Sequence, residues 1–216
     1  MATKMRLEAP AKRLLLMRHA KSSWKYPVSD HRRPLNERGE RSAEAVGREL
    51  HEAGLWPSLV LSSDSKRTKQ TWSHMKVGAG EDAAARTRVL FLPELYGIFD
   101  RPATDAIMEQ VWRHAGPDGL RDIQATSSST SKEGGEEERG EMVDVNDDVL
   151  VLGHNDGWEL ALNELVGSCH GFHGMPTANC YVLEPKEAKS LHTWEDIFES
   201  YGKWTIKNHI VARDLL

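Results

Sequence analysis

The sequence has few cysteines and no long apolar run, and each absence excludes a class of protein. Its 216 residues contain two cysteines, Cys169 and Cys180, which are too few for a disulfide scaffold and are typical of a reducing compartment. No apolar run approaches the roughly 20 residues that a membrane-spanning helix needs, so we expect no membrane association. A chain of this length buries roughly 70% of the surface that it exposes when unfolded, which predicts one domain that is stable without disulfide bonds.

The formal net charge of −5 is concentrated in one segment. Residues 132–148 contain eight acidic and two basic residues, so this segment alone carries −6 and the rest of the chain is near +1. Binding to nucleic acid by phosphate neutralisation needs a broad basic surface. The nearly neutral remainder offers none, and we expect no nucleic-acid partner.

Two segments lack the pattern of a packed domain. Residues 1–12 form a basic leader without the apolar stretch of a secretory signal, so we predict a cytoplasmic protein, with an organelle-targeting leader as the alternative. Residues 117–147 are rich in serine, glycine and glutamate, a composition that predicts a flexible acidic insertion. We interpret it as a loop without function, the alternative being a regulatory phosphorylation or docking site, within a single domain over residues 13–216.

Short apolar runs alternate with helical patterns along the chain. The runs predict buried strands near residues 14–17, 59–62, 89–92, 149–153 and 180–184, and an edge strand near 204–212. Helices are predicted over about 37–53, 65–75, 104–114 and 157–166, with caps at Asn36, at Ser63 and Asp64, and at Thr104, and a loop over 78–85. The alternation predicts an α/β fold, a three-layer sandwich with a mostly parallel central sheet flanked by helices.

Charged side chains follow three of these strands. Arg18 and His19 end the first strand, Arg67 lies in the first turn of the helix after the second, and His154 follows residues 149–153. Ligands of parallel sheets bind beyond the carboxyl ends of the strands. We therefore expect these four side chains to meet at one edge of the sheet.

Two arginines and two histidines suit phosphoryl transfer. Arginine binds phosphate oxygens bidentately, and a neutral His19 can attack phosphorus while a protonated His154 holds the developing charge. These groups supply the positive charge that Mg²⁺ supplies in metal-dependent phosphoryl-transfer enzymes, so we expect neither metal nor cofactor. Glu94 is the candidate general acid, with Asp30 or His31 as substitutes. The candidates for substrate binding are Lys21, Ser22 and Asn155.

A zinc site is the main alternative use of the cysteines. Cys169, His170, His173 and Cys180 could together ligate zinc tetrahedrally. Cys180 begins a predicted buried strand, where cysteine is an ordinary small apolar residue, and the region lacks paired C-x-x-C spacing. We therefore expect no metal.

Five motifs occur in the order seen in the histidine phosphatase superfamily. They are LMRHAKSSW at 16–24, SDHRRPLNERG at 29–39, LSSDSKRTKQT at 61–71, LPELY at 92–96 and VLGHN at 151–155. Each motif alone is weak, but five in order are specific. The chain most resembles the compact SixA-type phosphohistidine phosphatase branch.

The resemblance implies a phosphoglycerate mutase-like fold, a phosphohistidine intermediate on His19, and a phosphate pocket of Arg18, Arg67 and His154. Lys25 stands where phosphoglycerate mutases tend to place an asparagine that touches phosphate, which disfavours a mutase. The predicted function is a metal-independent phosphatase acting on phosphohistidine in proteins. The alternatives are a phosphoprotein-binding module with negligible turnover and a small-molecule phosphatase or mutase.

Overall fold

The computed structural model describes residues 12–98, 103–116, 148–167, 174–187 and 194–216. Its strands are β1 (Arg13–Arg18), β2 (Leu59–Ser63), β3 (Arg88–Leu92), β4 (Asp148–Gly153), β5 (Cys180–Pro185) and β6 (Trp204–Ile210). They form one sheet in the order β3-β2-β4-β1-β5-β6, in which β1 to β4 are parallel, β5 is antiparallel to β1, and β6 is antiparallel to β5. The mostly parallel sheet predicted from the sequence is confirmed.

Helices cover both faces of this sheet. They are α1 (Glu37–Glu52), α2 (Lys66–Ala79), α3 (Glu81–Ala85), α4 (Ala103–Ala115) and α5 (Asn155–Val166), with 3-10 turns at Asp30–Arg32, Pro93–Leu95, Trp194–Glu199 and Ala212–Leu215. One apolar core lies between the sheet and α1 and α2, and the other lies between the sheet and α4 and α5. The predicted three-layer sandwich is therefore confirmed.

The apolar run of β1 is buried because the strand lies inside the sheet with helices on both sides. Leu14 and Leu16 belong to the core under α4 and α5, whereas Leu15 and Met17 belong to the core under α1 and α2. All four side chains are fully buried. Burial on both faces explains a continuous apolar run where a half-exposed strand would alternate.

The ends of the helices agree with the sequence patterns at some positions and differ at others. The Asn36 side chain caps α1 as predicted and accepts from Gly39 N at 2.9 Å. Helix α2 is capped by Ser65 instead of Ser63 or Asp64, since Ser63 still belongs to β2. It continues to Gly80, whose φ of +91° ends it, so the predicted loop over 78–85 is wrong and contains α3.

Helix α4 also differs from its predicted start. Thr104 lies in its first turn and is therefore not its cap. The Thr104 hydroxyl instead donates to the Glu164 carboxylate of α5, which ties the two helices together.

Several predictions concern residues outside the described ranges. These are the leader over 1–12, of which Lys12 alone is described, the acidic insertion over 117–147, and the candidate zinc ligands Cys169, His170 and His173. Cys180 is fully buried in β5, and burial raises the pKa of its thiol to about 12. Within the described ranges no helix is long and apolar enough to cross a membrane.

Candidate active site

The parallel pairing of β1 with β4 sets His19 beside His154. Arg18 is in register with Gly153, and His19 N donates to Gly153 O at 2.9 Å. The two imidazole rings follow these residues at the carboxyl ends of the strands, with centroids 5.2 Å apart. The predicted meeting of the two histidines therefore occurs.

Strand β2, the other neighbour of β4, brings Ser63 and Arg67 to His154. Arg67 Nη2 lies 3.0 Å from His154 Nδ1, and Ser63 Oγ lies 2.9 Å from His154 Nε2. A guanidinium can only donate, so Nδ1 is the unprotonated nitrogen and Nε2 donates to Ser63. The ring is held in one tautomer from both sides.

His19 is held in the opposite tautomer. Its Nδ1 donates to the Ala20 carbonyl at 2.7 Å, which leaves the lone pair on Nε2. Burial, opposed by the Ala20 carbonyl and reinforced by the charges of Arg67, Arg18 and Arg33, lowers the pKa of His19 to about 3. The ring is therefore neutral near pH 7, as a nucleophile must be.

These side chains line a cavity of about 320 Å³. Three arginines face it, Arg18, Arg33 and Arg67. The buried Arg33 Nη1 and Arg67 Nε have no hydrogen-bond partner among the described residues. A buried N–H group of a charged side chain that makes no hydrogen bond lowers the stability of the folded state. An anion in the cavity would accept these hydrogen bonds.

Asp30 is the one carboxylate among the described residues that line this cavity. It accepts from Arg67 Nη2 at 3.0 Å, from Arg33 Nε at 2.9 Å and from the Tyr96 hydroxyl at 2.8 Å. Burial raises the pKa of Asp30, but the Tyr96 hydrogen bond and the two arginines outweigh burial and hold it below its usual value. Asp30 is therefore ionised near neutral pH.

The expected charge of His154 needs correction. Burial first, and then Arg67 and His19, lower the pKa of His154 to about 2, against a smaller opposite effect of Asp30. The ring is therefore neutral in the substrate-free cavity, whereas the sequence predicted a protonated one. A guanidinium 3.0 Å away already supplies the local positive charge, and a second cation there is unfavourable.

The remaining candidates are only partly brought to this cavity. Asn155 lines it, and its Oδ1 accepts from Met175 N at 2.9 Å. Lys21 lines a different cavity. Ser22 is buried and forms an isolated β-bridge with Leu35. Glu94 is exposed and outside the cavity, because the turn Pro93–Leu95 directs Leu95 into the core instead.

Sequence reasoning gave no role in the site to three residues that complete it. Arg33 is 8% exposed and lies with its Cζ 3.6 Å from the ring centroid of Trp24. Tyr96 packs edge-on against His154 at 5.3 Å, and Ser63 orients the same ring. All three occur within the five motifs quoted above, and this position in a motif was the signal that could have identified them. Nothing in a polar loop indicated that Arg33 would be buried.

Residues 14–197 match the model of the histidine phosphatase superfamily (branch 1). The chain belongs to this superfamily. It is therefore a hydrolase of phosphate esters, and the resemblance of its motifs is confirmed.

Relatives support this assignment without naming a substrate. The chain is 30% identical over 209 residues to an uncharacterized protein of Arabidopsis thaliana named as chloroplastic, covering 94% of this chain and 79% of the relative. It is 36% identical over 97 residues to an uncharacterized protein of Mycobacterium tuberculosis, covering 45% of this chain and 54% of that protein.

Solved structures share the fold at low sequence identity. A putative phosphohistidine phosphatase SixA from Nakamurella multipartitia is 22% identical with a TM-score of 0.63, covering 94% of this chain and 98% of that one. The protein histidine phosphatase SixA complexed with tungstate is 17% identical with a TM-score of 0.58, covering 94% and 99%. These likenesses confirm the SixA-like α/β fold.

Proposed function

We propose that the chain removes phosphate from phosphohistidine in proteins through a covalent phosphohistidine on His19. The observation that carries the proposal is the tautomer of His19. Its Nδ1 donates to the Ala20 carbonyl, so Nε2 holds the lone pair in a cavity lined by three guanidiniums.

The cavity suits both steps of such a reaction. In the first, His19 Nε2 attacks phosphorus and the bond from phosphorus to the substrate nitrogen breaks, so the phosphoryl group moves to His19. In the second, water attacks this phosphohistidine and inorganic phosphate leaves, returning the lone pair to Nε2. Arg18, Arg33 and Arg67 face the cavity and would hold the phosphoryl oxygens in both transition states. A phosphate dianion bound there would also favour a protonated His154.

The carboxylates near the cavity favour a phosphoramidate substrate. An alkoxide leaving group needs an acid to protonate it. Asp30 is ionised near neutral pH because its pKa is lowered by Tyr96 and the arginines, although burial opposes them, and Glu94 lies outside the cavity. The imidazole of phosphohistidine leaves well once its own nitrogen is protonated, so its demand for an enzymic acid is smaller.

A substrate panel tests this proposal. Wild type, His19→Asn and the matched control His51→Asn, at an exposed histidine of α1, are assayed on a phosphohistidine peptide, a phosphoserine peptide and sugar phosphates. We expect the largest kcat/KM for the phosphohistidine peptide, loss of turnover only in His19→Asn, and no effect of a chelator. Preference for a sugar phosphate would favour the small-molecule alternative, and phosphopeptide binding without turnover would favour the binding module.

The compartment is a separate proposal. We infer a cytoplasmic location from the low cysteine content, while the name of the Arabidopsis relative, chloroplastic, supports the alternative in which residues 1–12 direct the protein to an organelle. Imaging of the full chain fused at its C-terminus to a fluorescent protein distinguishes the two.

A further inference from the structure

A second cavity, of about 440 Å³, lies beside the catalytic one where the start of α1 meets β5 and β6. Its lining includes Lys21, Arg38, Ser42, Asn179, Tyr181 and His209. Its volume falls in the range of sites for small organic ligands. The proposed phosphatase reaction uses none of its lining residues.

The charges of this second cavity favour an anion. Lys21 and Arg38 make no ion pair among the described residues, while Arg213 at its edge pairs with Asp214. No aspartate or glutamate stands among its described lining residues. Ser42, which is 6% exposed, adds a hydroxyl group to the same lining.

One wall of the second cavity is a flat aromatic platform. Tyr181 and His209 lie directly opposite each other on β5 and β6, with ring centroids 3.9 Å apart and planes within 11°. Asn179 Nδ2 lies 3.0 Å from His209 Nε2 and donates to it, which fixes the imidazole in this orientation. Tyr181 is 5% exposed and stacked against His209, so the outer face of the exposed His209 ring is the surface offered to a further planar ring.

We propose that the second cavity binds a small phosphorylated compound that carries a planar ring, for which a nucleoside monophosphate is the simplest probe. Lys21, Arg38 and the Ser42 hydroxyl take the phosphate. The platform of Tyr181 and His209 takes the ring. The ligand class follows from this combination of free cations and stacked rings in one cavity.

The segment between the two cavities couples such a ligand to the catalytic residues. The second cavity is lined by Pro176, Thr177 and Asn179. The residue before them in the chain, Met175, accepts a hydrogen bond through its carbonyl from Arg18 Nη1 at 2.7 Å. Ala178 N lies 3.1 Å from the Arg18 carbonyl and 3.2 Å from that of His19. A ligand that contacts this segment therefore acts on Arg18 and His19 through the hydrogen bonds of Met175 and Ala178.

Calorimetric titration with AMP tests the proposal. The measurements use a His19→Asn background, so that AMP is not hydrolysed. Arg38→Ala and His209→Ala remove one element of the second cavity each, Arg67→Gln alters the catalytic cavity, and Arg48→Ala is the matched control at an exposed arginine of α1.

We expect Arg38→Ala and His209→Ala each to weaken AMP binding about tenfold, and Arg67→Gln and Arg48→Ala to leave it unchanged. In the wild type, AMP changes the KM for a generic phosphomonoester, and Arg38→Ala removes this effect.

Three results would overturn the proposal. The first is no binding at millimolar AMP. The second is binding lost in Arg67→Gln and kept in Arg38→Ala, because AMP then occupies the catalytic cavity. The third is inorganic phosphate binding as tightly as AMP to the Arg67→Gln variant, whose catalytic cavity is altered, because the platform then contributes nothing. Circular dichroism of each variant confirms that it is folded, and these outcomes do not depend on turnover of phosphohistidine.

Discussion

Asp30 Oδ2 lies 3.0 Å from Arg67 Nη2, so the guanidinium that we expect to hold phosphate is paired with a carboxylate of the protein itself. Arg33 is paired with the same carboxylate through its Nε. A phosphate dianion entering the cavity must therefore share both arginines with Asp30. Asp30 therefore holds both arginines in position in the free enzyme, but it also competes with phosphate for them.

Removing the charge of Asp30 is expected to strengthen the binding of inorganic phosphate. Asp30→Asn keeps the size of the side chain but removes its repulsion of phosphate, so the Kd should fall about tenfold, equivalent to about 1.4 kcal/mol. Calorimetric titration of phosphate measures this. Asp64→Asn, at a carboxylate that pairs with His31 outside the cavity, is the matched control and should bind as wild type does. Weaker binding by Asp30→Asn would mean that Asp30 mainly orients the arginines.

Replacing Arg67 by lysine is expected to lower kcat by about 10² to 10³ while the protein stays folded. A lysine keeps the charge but loses the planar fork, and with it the simultaneous contacts to the Asp30 carbonyl and His154 Nδ1. Steady-state kinetics on the phosphohistidine peptide give the size of the loss. Arg48→Lys on the surface of α1 should retain full activity, and a lysine at position 67 that did the same would remove Arg67 from the mechanism.

The convergence of His19, Arg67 and His154 was predictable because each follows the carboxyl end of a parallel strand. An apolar run with no polar interruption identifies such a strand, and the edge at which its end lies follows from the parallel arrangement. Arg33, Tyr96 and Ser63 were not predictable in this way. Arg33 is buried by its contacts with Trp24 and Asp30, which join positions within a polar loop that has no periodicity.

Other errors have similarly local causes. Whether Glu94 faces the cavity depends on the backbone angles of the turn Pro93–Leu95, which residue types alone do not determine. The protonation of His154 was misjudged because its burial and its distance from Arg67 emerge only on folding. The extent of α2 was underestimated because residues 78–85 were predicted to be a loop, whereas Gly78 packs within α2 against the backbone of α1 at Glu44.

Acid is expected to destabilise the protein through its two buried histidines. The pKa of His19 is about 3 and that of His154 about 2 in the folded chain, mainly because of burial, against about 6.5 in an unfolded one. Below pH 6.5 the unfolded chain therefore takes up protons that the folded chain does not, and the free energy of unfolding falls as the pH falls. For His19 alone the loss between pH 7 and pH 5 is about 2 kcal/mol.

Urea unfolding at several pH values measures this dependence. His19→Asn should show a shallower decline of unfolding free energy between pH 7 and pH 5, and His51→Asn, at an exposed histidine, should keep the wild-type decline. A decline that is equally steep in His19→Asn would show that the ring is not held neutral by burial.

Deleting residues 126–140 is expected to leave folding and phosphatase activity unchanged. The six described strands and the described lining residues of both cavities lie outside that segment, and its composition is that of a flexible loop. Thermal unfolding and the phosphohistidine peptide assay, compared with the full chain, give the answer. A deletion variant that is insoluble or inactive would show that the segment contributes to the domain.

Trapping the reaction intermediate tests the central claim most directly. Wild type and His19→Asn are mixed with phosphohistidine peptide, quenched within milliseconds at alkaline pH, where phosphohistidine survives, and mapped by mass spectrometry. The account predicts one phosphate on the peptide that contains His19 in the wild type and none in the variant. Steady turnover by the wild type with no phosphate on His19, or with phosphate on another residue, would contradict it.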